Sequence, residues 1–337
     1  MQKSESQTLI TGVYRTGTEF ITQAINCHPE ISATMYRVNV LRFVDGRYDP
    51  ISSQAMQRRA LGDLKERLFH RYGLELDCDI LLRELAGRAP VDYGVFYDLV
   101  MSWLYLGPSR RHWMEKNQLL WREIPRFIEM MPNGRAILVI RDPRSVLASF
   151  KKYTTAPPPA YLGAIFNCYD AMLAGKVLEE RFASTGRFLC LRYEDFAADP
   201  ENWTRAVWKM IGVSPDHGIN NQGWKDAYGK EWKANSSFHT NADRKAFDVQ
   251  AAIDRWRTQL SPMEIFLTEA VCAEIMTQYG YAQAGLEGVD WREAMRLPAG
   301  DDKLMGYFRN WLIKGEGIEA FPSDPLDSAS WDKRRSS

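Results

Sequence analysis

The first feature with chemical potential is a glycine-bounded loop, G-V-Y-R-T-G-T-E, over residues 12–19. It follows the apolar run Thr8–Val13 and precedes a helical pattern, so backbone N–H groups and a helix N-terminus converge on one point, as anion sites require. Gly12 and Gly17 have the spacing of the two glycines in the Walker A motif, G-x-x-x-x-G-K-[ST]. However, Thr18 stands where that motif has its lysine, and Glu19 stands where it has the hydroxyl that binds magnesium. ATP or GTP hydrolysis is therefore disfavoured, and Arg15 must supply the positive charge. Taken alone, the loop fits a structural turn as well as a metal-free phosphate site.

A second candidate anion site, R-D-P-R-S-V-L-A-S, follows the apolar run Ala136–Ile140. Arg141 stands at the carboxyl end of that run, and Asp142 suits the N-cap of the next helix. Ser145 and Ser149 are four residues apart and share one helix face, so they and Arg141 can bracket a single anion. Taken alone, an arginine is more commonly part of a surface ion pair, and a serine is more commonly only solvated.

The elements that must position these motifs are short apolar runs alternating with helical patterns, which is typical of parallel α/β proteins. We predict a P-loop-like three-layer α/β fold with a central parallel sheet flanked by helices. The predicted strands are Thr8–Val13, His112–Glu115, Ala136–Ile140 and Phe188–Leu191, and the predicted helices are Thr18–Asn26, Pro143–Tyr153, Pro200–Ile211 and Pro262–Tyr279. Residues 35–111 are predicted as a helical insertion that sets acceptor specificity, and 154–160 as a proline-rich surface loop. We expect one domain over 1–321 and a flexible tail over 322–337.

Composition limits the classes of partner. Among 337 residues, Lys plus Arg and Asp plus Glu are both 43, so no overall field draws the chain to nucleic acid or to a membrane. The five cysteines are scattered, without a C-x-x-C pair that would suggest zinc. With neither a signal peptide nor a run of roughly 18 apolar residues, we expect a cytoplasmic protein with reduced thiols. The oligomeric state is not indicated.

In this order, the two anion motifs resemble those of the sulfotransferase family that uses 3′-phosphoadenosine 5′-phosphosulfate (PAPS), in its bacterial and tyrosylprotein-like branches. That family has a 5′-phosphosulfate loop after its first strand, and an R-D-P-R-x-x-x-x-S element that holds the 3′-phosphate. The resemblance implies that Arg141 and Ser149 grip the 3′-phosphate, which would select PAPS over ATP. It also implies that Thr16, Gly17 and Thr18 cradle the 5′-phosphate and that Arg15 occupies the basic position of the loop. Glu19, the next residue, is a further candidate for cofactor binding.

Two later segments extend the resemblance. The segment L-R-Y-E-D over residues 191–195 is similar to the family's R-Y-E-D element, where Tyr193 would line the nucleotide. A buried aromatic that only caps the core is an equal alternative for this residue. In the family a late loop closes over the nucleotide, which makes Lys233, Ser236 and Ser237 candidates, although such polar loops are more often only solvated.

The segment Glu115-Lys116-Asn117-Gln118 resembles the family's E-K-T-P element and makes Lys116 a second catalytic cation beside Arg15. The general base is less clear. One branch places a histidine where this chain has Gln118, and another places a glutamate after an H-P-E segment where this chain has S-A-T-M-Y over 32–36. The remaining candidates are Glu115, His112 and Asp98, of which we favour Glu115.

The sequence therefore predicts a PAPS-dependent sulfotransferase that acts without a metal on a hydroxyl or amine of a small molecule or carbohydrate. Two alternatives stay open. One is a non-catalytic 3′-phosphonucleotide-binding protein that kept the pocket but lost the base. The other is a P-loop nucleotide kinase, which lacks its lysine and metal ligand here.

Overall fold

The computed structural model describes residues 3–35, 38–88, 90–154, 157–219, 253–285 and 288–320. Within these ranges five strands form one sheet in the order β2-β3-β1-β4-β5, and every neighbouring pair is parallel. The strands are β1 Ser6–Gly12, β2 Ile31–Met35, β3 His112–Lys116, β4 Gly134–Ile140 and β5 Phe188–Arg192. Because all five are parallel, their carboxyl ends share one edge of the sheet, where α/β proteins bind ligands.

The helices of the described ranges cover both faces of the sheet. They are α1 Thr18–Ile25, α2 Val40–Phe43, α3 Gln54–Tyr72, α4 Cys78–Ala86, α5 Tyr93–Tyr105, α6 Ile124–Met130, α7 Pro143–Tyr153, α8 Gly163–Phe182, α9 Tyr193–Ala198, α10 Pro200–Ile211, α11 Trp256–Gln259, α12 Pro262–Gln278, α13 Trp291–Ala294 and α14 Asp302–Lys314. A short 3₁₀ turn, Ala160–Leu162, precedes α8.

Strand alternation divides the core into two clusters, one on each face of the sheet. On β4, Ile137 and Val139 pack with apolar residues of α1, α9 and α10, such as Trp208. Ala136 and Leu138 pack on the other face with residues of α5 to α8 and α12. The result is a three-layer α/β fold, as the sequence predicted.

Four strands lie where the sequence predicted them, and α7 and α10 have the predicted bounds. The structure corrects the predicted insertion, because its first residue, Met35, is the last residue of β2. This strand was missed because I-S-A-T-M is short, only partly apolar and at the edge of the sheet. Helices α3, α4 and α5 fill the insertion between Gln54 and Tyr105. The predicted tail lies outside the described residues, so the division into domain and tail stays a prediction.

Among the described residues, no helix is long and apolar enough to cross a membrane. The same part of the chain has no group of three or more His, Cys, Asp or Glu side chains that could hold a metal ion. All five cysteines are free thiols.

Candidate active site

The glycine-bounded loop joins β1 to α1 in a tight turn. Arg15 and Gly17 both have positive φ angles, 72° and 89°. Thr16 closes the turn by donating its hydroxyl to the carbonyl oxygen of Val13 at 2.8 Å. No side chain in the described part of the chain caps the N-terminus of α1 at Gly17. The first N–H groups of α1 are therefore available to an anion at the carboxyl edge of the sheet.

The second anion motif adjoins this loop because β4 pairs with β1. One guanidinium nitrogen of Arg141, Nη1, donates to the backbone carbonyl of Arg15 at 3.0 Å. In turn, Nε of Arg15 donates to the Ser149 hydroxyl at 3.0 Å. Asp142 caps α7 by accepting the Arg144 N–H at 2.9 Å, which fixes the direction of this helix. The two motifs, 126 residues apart in sequence, thus form one cationic surface.

Tyr193 lies at this surface, at the start of α9, and is buried. Its ring centroid is 4.3 Å from the guanidinium carbon of Arg141. On its other side the ring contacts the phosphate loop so closely that a Cβ on Gly17 would come within 2.3 Å of Cδ2. The ring therefore joins the two anion motifs, where the resemblance places the nucleotide.

Lys116 ends β3 beside the phosphate loop and is 1% exposed. Burial is the main reason that the pKa of its amine falls to about 8. The negative charge of Glu19 raises this pKa, and the positive charge of Arg15 lowers it further. The loop that follows β3 is tied to the same site, because Gln118 donates its amide N–H to the Thr18 hydroxyl at 2.9 Å. A buried amine that titrates near neutrality thus stands next to the loop.

Glu115 has a different environment from the one that the sequence suggested. Its Oε1 accepts the N–H groups of Val38 and Asn39 at 2.9 and 2.8 Å, and the Tyr97 hydroxyl donates to Oε2. Complete burial raises the pKa of Glu115, and these three donors oppose that rise. Since both oxygens are occupied and the side chain is 0% exposed, the geometry argues against Glu115 as the general base. The carboxylate instead anchors the segment after β2.

The other two candidate bases lie at the opposite edge of the sheet, so the structure corrects both. His112 begins β3, roughly 13 Å from Lys116 at about 3.3 Å per strand residue, and its Nδ1 is 2.7 Å from the Ser6 hydroxyl. Asp98 accepts the indole N–H of Trp113 at 2.8 Å. Neither side chain can reach a group bound at the phosphate loop.

Two residues of the insertion, Arg42 and Asn39, contact residues of β3 and the loop after it, and the sequence did not indicate them. Arg42 donates to the carbonyl oxygens of Gln118 and Leu119 at 3.1 and 3.2 Å, which holds the loop after β3. Neither residue belongs to a motif, and their contacts are with residues about 76 positions away, so no local signal could have found them. The late-loop candidates, Lys233, Ser236 and Ser237, lie outside the described residues.

Comparison with known proteins identifies the family. A sequence profile of the sulfotransferase family matches residues 8–217, more than half of the chain. The protein therefore belongs to the sulfotransferase family and is a transferase enzyme. This confirms the predicted family and activity, with the acceptor unspecified, and excludes the kinase alternative.

Individual relatives are distant. Nodulation protein NoeE of Sinorhizobium fredii (strain NBRC 101917 / NGR234) is 24% identical over 93% of this chain and 75% of its own length. Carbohydrate sulfotransferase 1 of Mus musculus is 21% identical over 50% of this chain, which spans 42% of that protein. The sulfotransferase domain of the Synechococcus PCC 7002 olefin synthase has the same fold, with a TM-score of 0.52, 17% identity, and coverage of 84% of this chain and 97% of that domain.

Proposed function

We propose that this sulfotransferase moves the sulfuryl group of PAPS to a hydroxyl of a carbohydrate or other small molecule. The observation that carries the proposal is the chain of contacts from Arg141 through Arg15 to Ser149. A nucleotide with a phosphate at the 5′ position only needs one anion site. Two adjoining cationic sites with an aromatic ring between them fit a nucleotide phosphorylated at both the 5′ and 3′ positions.

The residues at the site fit PAPS in their donor chemistry. The uncapped N-terminus of α1 and Arg15 would hold the 5′-phosphosulfate, with Gly17 and Thr18 contributing N–H groups. Thr16 would shape the cradle, since both its N–H and its hydroxyl donate to the Val13 carbonyl. Arg141 and Ser149 would hold the 3′-phosphate, and Tyr193 would line the nucleotide. Glu19, also predicted to bind the nucleotide, would act through the amine of Lys116, whose charge it stabilises.

Sulfuryl transfer forms a bond between the acceptor oxygen and sulfur while the bond from sulfur to the 5′-phosphate oxygen breaks. Arg15 would stabilise the charge that develops on the departing phosphate, because a guanidinium stays protonated. The hydroxyl proton needs an acceptor. We assign that role to Lys116, since an amine with a pKa of about 8 is partly neutral near physiological pH.

Two further points extend the proposal. The similarity to carbohydrate sulfotransferase 1 supports a carbohydrate acceptor for this chain as well. The free cysteines support the proposed cytoplasmic location, where thiols stay reduced.

A thermal-shift experiment tests the nucleotide assignment. In magnesium-free buffer, 3′,5′-ADP should raise the melting temperature more than 5′-AMP or ADP at equal concentration. At 100 times the dissociation constant, the expected stabilisation is about 2.7 kcal/mol. Equal shifts for 5′-AMP and 3′,5′-ADP would contradict a 3′-phosphate site. Binding of 3′,5′-ADP without transfer from PAPS to any acceptor would favour the non-catalytic alternative.

A further inference from the structure

Three residues other than glycine have a left-handed backbone in the described part of the chain, and each closely follows the carboxyl end of a strand. They are Arg15 after β1, Asn39 after β2 and Leu119 after β3, with φ angles of 72°, 50° and 57°. A leucine rarely adopts this conformation, because its side chain is crowded there. Such a backbone persists only where neighbouring groups hold it, and it is concentrated at functional sites. The turn at Leu119 is thus a candidate for a positioning role.

The turn at Leu119 is held from two sides. Its N–H donates to the Gly12 carbonyl at 3.1 Å, which ties the turn to the end of β1. On the other side, Nη2 of Arg42 bridges the carbonyls of Gln118 and Leu119 at 3.1 and 3.2 Å. An extended backbone would point these two carbonyls in opposite directions, so one nitrogen meets both only because the chain turns here. Arg42, in α2 of the insertion, thus fixes the conformation of the turn.

The Gln118 side chain lies toward the phosphate loop. Met114 of β3 packs on the face of the sheet that α1 covers. The ladder to β1 continues past Lys116, so strand alternation puts Lys116 and Gln118 on that same face. There the amide nitrogen of Gln118 donates to the Thr18 hydroxyl oxygen at 2.9 Å, and the two residues are 4% and 1% exposed. The contact joins the loop after β3 to the first residue of α1.

This hydrogen bond determines what the Thr18 hydroxyl can do. A hydroxyl has one hydrogen that it donates and two lone pairs that accept. Because the Gln118 amide donates to one of these lone pairs, the hydrogen of the Thr18 hydroxyl must point away from Gln118. Thr18 begins α1 at the proposed 5′-phosphosulfate cradle, and a phosphate can only accept hydrogen bonds there. The amide therefore leaves Thr18 ready to donate to an anion.

Building on the proposed function, we propose that Arg42 and Gln118 are positioning residues that orient the Thr18 hydroxyl as a donor to the 5′-phosphosulfate. Arg42 holds the backbone turn, the turn directs the Gln118 amide, and the amide directs the threonine hydrogen. We call this series of contacts the relay. The donor is aligned before the anion enters, so binding does not have to reorient it. Through the relay, the insertion contributes to the nucleotide site.

The test compares two nucleotides that differ only in the 5′-phosphate. Dissociation constants of 3′,5′-ADP and 3′-AMP are measured by calorimetry for the wild-type protein and each variant. Gln118→Leu and Arg42→Met should each weaken 3′,5′-ADP binding roughly 3-fold to 10-fold, as expected for one misaligned hydrogen bond, and change 3′-AMP affinity by less than about twofold. Arg42→Lys should bind both nucleotides as the wild type does, because an ammonium has several donors and can bridge the same two carbonyls.

A double-mutant cycle tests whether the relay acts through the Thr18 hydroxyl. Thr18→Val removes the hydroxyl and keeps the shape of the side chain. It should weaken 3′,5′-ADP binding roughly 10-fold to 150-fold, because a hydrogen bond to a charged group is lost. In this background Gln118→Leu should cause no further loss, since the hydroxyl that it orients is absent.

The matched control is Arg187→Met. Nη2 of Arg187 also bridges two backbone carbonyls, those of Ile128 at 2.7 Å and of Met131. However, Arg187 directly precedes β5 and therefore lies at the opposite edge of the sheet. This control should lower the melting temperature and leave the affinities for both nucleotides unchanged.

Either of two results would overturn the inference. If Gln118→Leu and Arg42→Met bind 3′,5′-ADP as tightly as the wild type, or lose as much affinity for 3′-AMP, the relay does not act on the 5′-phosphate. If Gln118→Leu still weakens binding in the Thr18→Val background, the amide acts on another group. Should Arg42→Met fail to fold, Gln118→Leu alone decides the matter. Failure of the wild-type protein to bind 3′,5′-ADP would instead contradict the proposed function.

Discussion

Two parts of the proposed site are built in different ways. We call the two anion motifs the nucleotide side, and the end of β3 with the segment that Glu115 holds the acceptor side, after their proposed roles. The nucleotide side combines two segments of eight or nine residues, each holding its own strand end, loop and helix start. The acceptor side combines the end of β3 with a segment 76 residues earlier, joined through Glu115. The first is encoded by local sequence and the second by long-range contacts.

The two sides also differ in charge. Permanent cations, Arg15 and Arg141, face the nucleotide side, which suits an anion. On the acceptor side, both oxygens of the Glu115 carboxylate accept hydrogen bonds from protein groups. Lys116 lies between the two sides, and its pKa of about 8 means that its amine loses its proton near neutral pH. Substitutions should consequently separate into effects on nucleotide binding, on transfer and on acceptor binding.

The largest effect is expected where the two sides meet. Lys116→Met should lower turnover roughly 100-fold to 10,000-fold through loss of the proton acceptor, with near-normal affinity for 3′,5′-ADP. Turnover is measured as 3′,5′-ADP release from PAPS in the presence of the acceptor, and affinity by calorimetry. Wild-type activity should rise with pH through about 8, because only the neutral amine accepts a proton. This limb should vanish in the variant.

Lys116→Arg is the matched control, since it keeps the charge but cannot release the proton. If the arginine variant retains activity, or if wild-type activity falls as pH rises through 8, Lys116 acts as a cation and not as a base. Stability gives an independent check on the pKa. The unfolded chain keeps the Lys116 proton up to about 10.5, so wild-type stability should rise between pH 8 and 10.5 relative to Lys116→Met.

A smaller effect, confined to the nucleotide side, is expected for Arg141→Ala. Losing a charged hydrogen bond costs about 1.5–3 kcal/mol, so affinity for 3′,5′-ADP should fall roughly 10-fold to 150-fold while 5′-AMP affinity changes little. Calorimetric titration of both nucleotides measures this preference. Ser149→Ala should be milder in the same direction, and Arg135→Ala, at the amino end of the same strand, should have no effect. Global unfolding of Arg141→Ala would instead assign Arg141 a structural role.

The sequence predicted the strands and helices around the two anion motifs well, because the information for them is contiguous. Strand ends, glycines and the helix N-cap at Asp142 occur within a few residues of the groups they position. Strand β2 and the segment after it were not predicted, since β2 carries only a weak apolar pattern and Asn39 belongs to no motif. Glu115 shows the limit most clearly. A carboxylate next to the proposed catalytic residue Lys116 resembles a general base in the sequence, and only the hydrogen bonds that it accepts from Val38 and Tyr97 show that it anchors the segment after β2.

Gly17→Ala tests the contact between the phosphate loop and Tyr193. The positive φ of 89° strains a non-glycine residue by about 1–3 kcal/mol, and the new methyl group also meets the tyrosine ring. Gly46→Ala is the matched control, because Gly46 has a φ of 69° but nothing within 4 Å of an added Cβ. Denaturant unfolding should show a greater loss for Gly17→Ala, which alone should weaken 3′,5′-ADP binding. Equal losses with unchanged binding would show that the ring contact has no role in the nucleotide site.

The smallest effect on transfer is expected for Glu115→Gln. This variant tests whether Glu115 only holds the structure or acts as the general base. Its amide nitrogen would face one of the donors from Val38, Asn39 or Tyr97, so unfolding free energy should fall by about 1–3 kcal/mol. Turnover should stay within a few-fold, with the pH limb near 8 intact. A double-mutant cycle with Tyr97→Phe should show coupling, because the two side chains share a hydrogen bond. A 100-fold fall in turnover without that pH limb, at unchanged stability, would restore Glu115 as the base and make Lys116 only a cation.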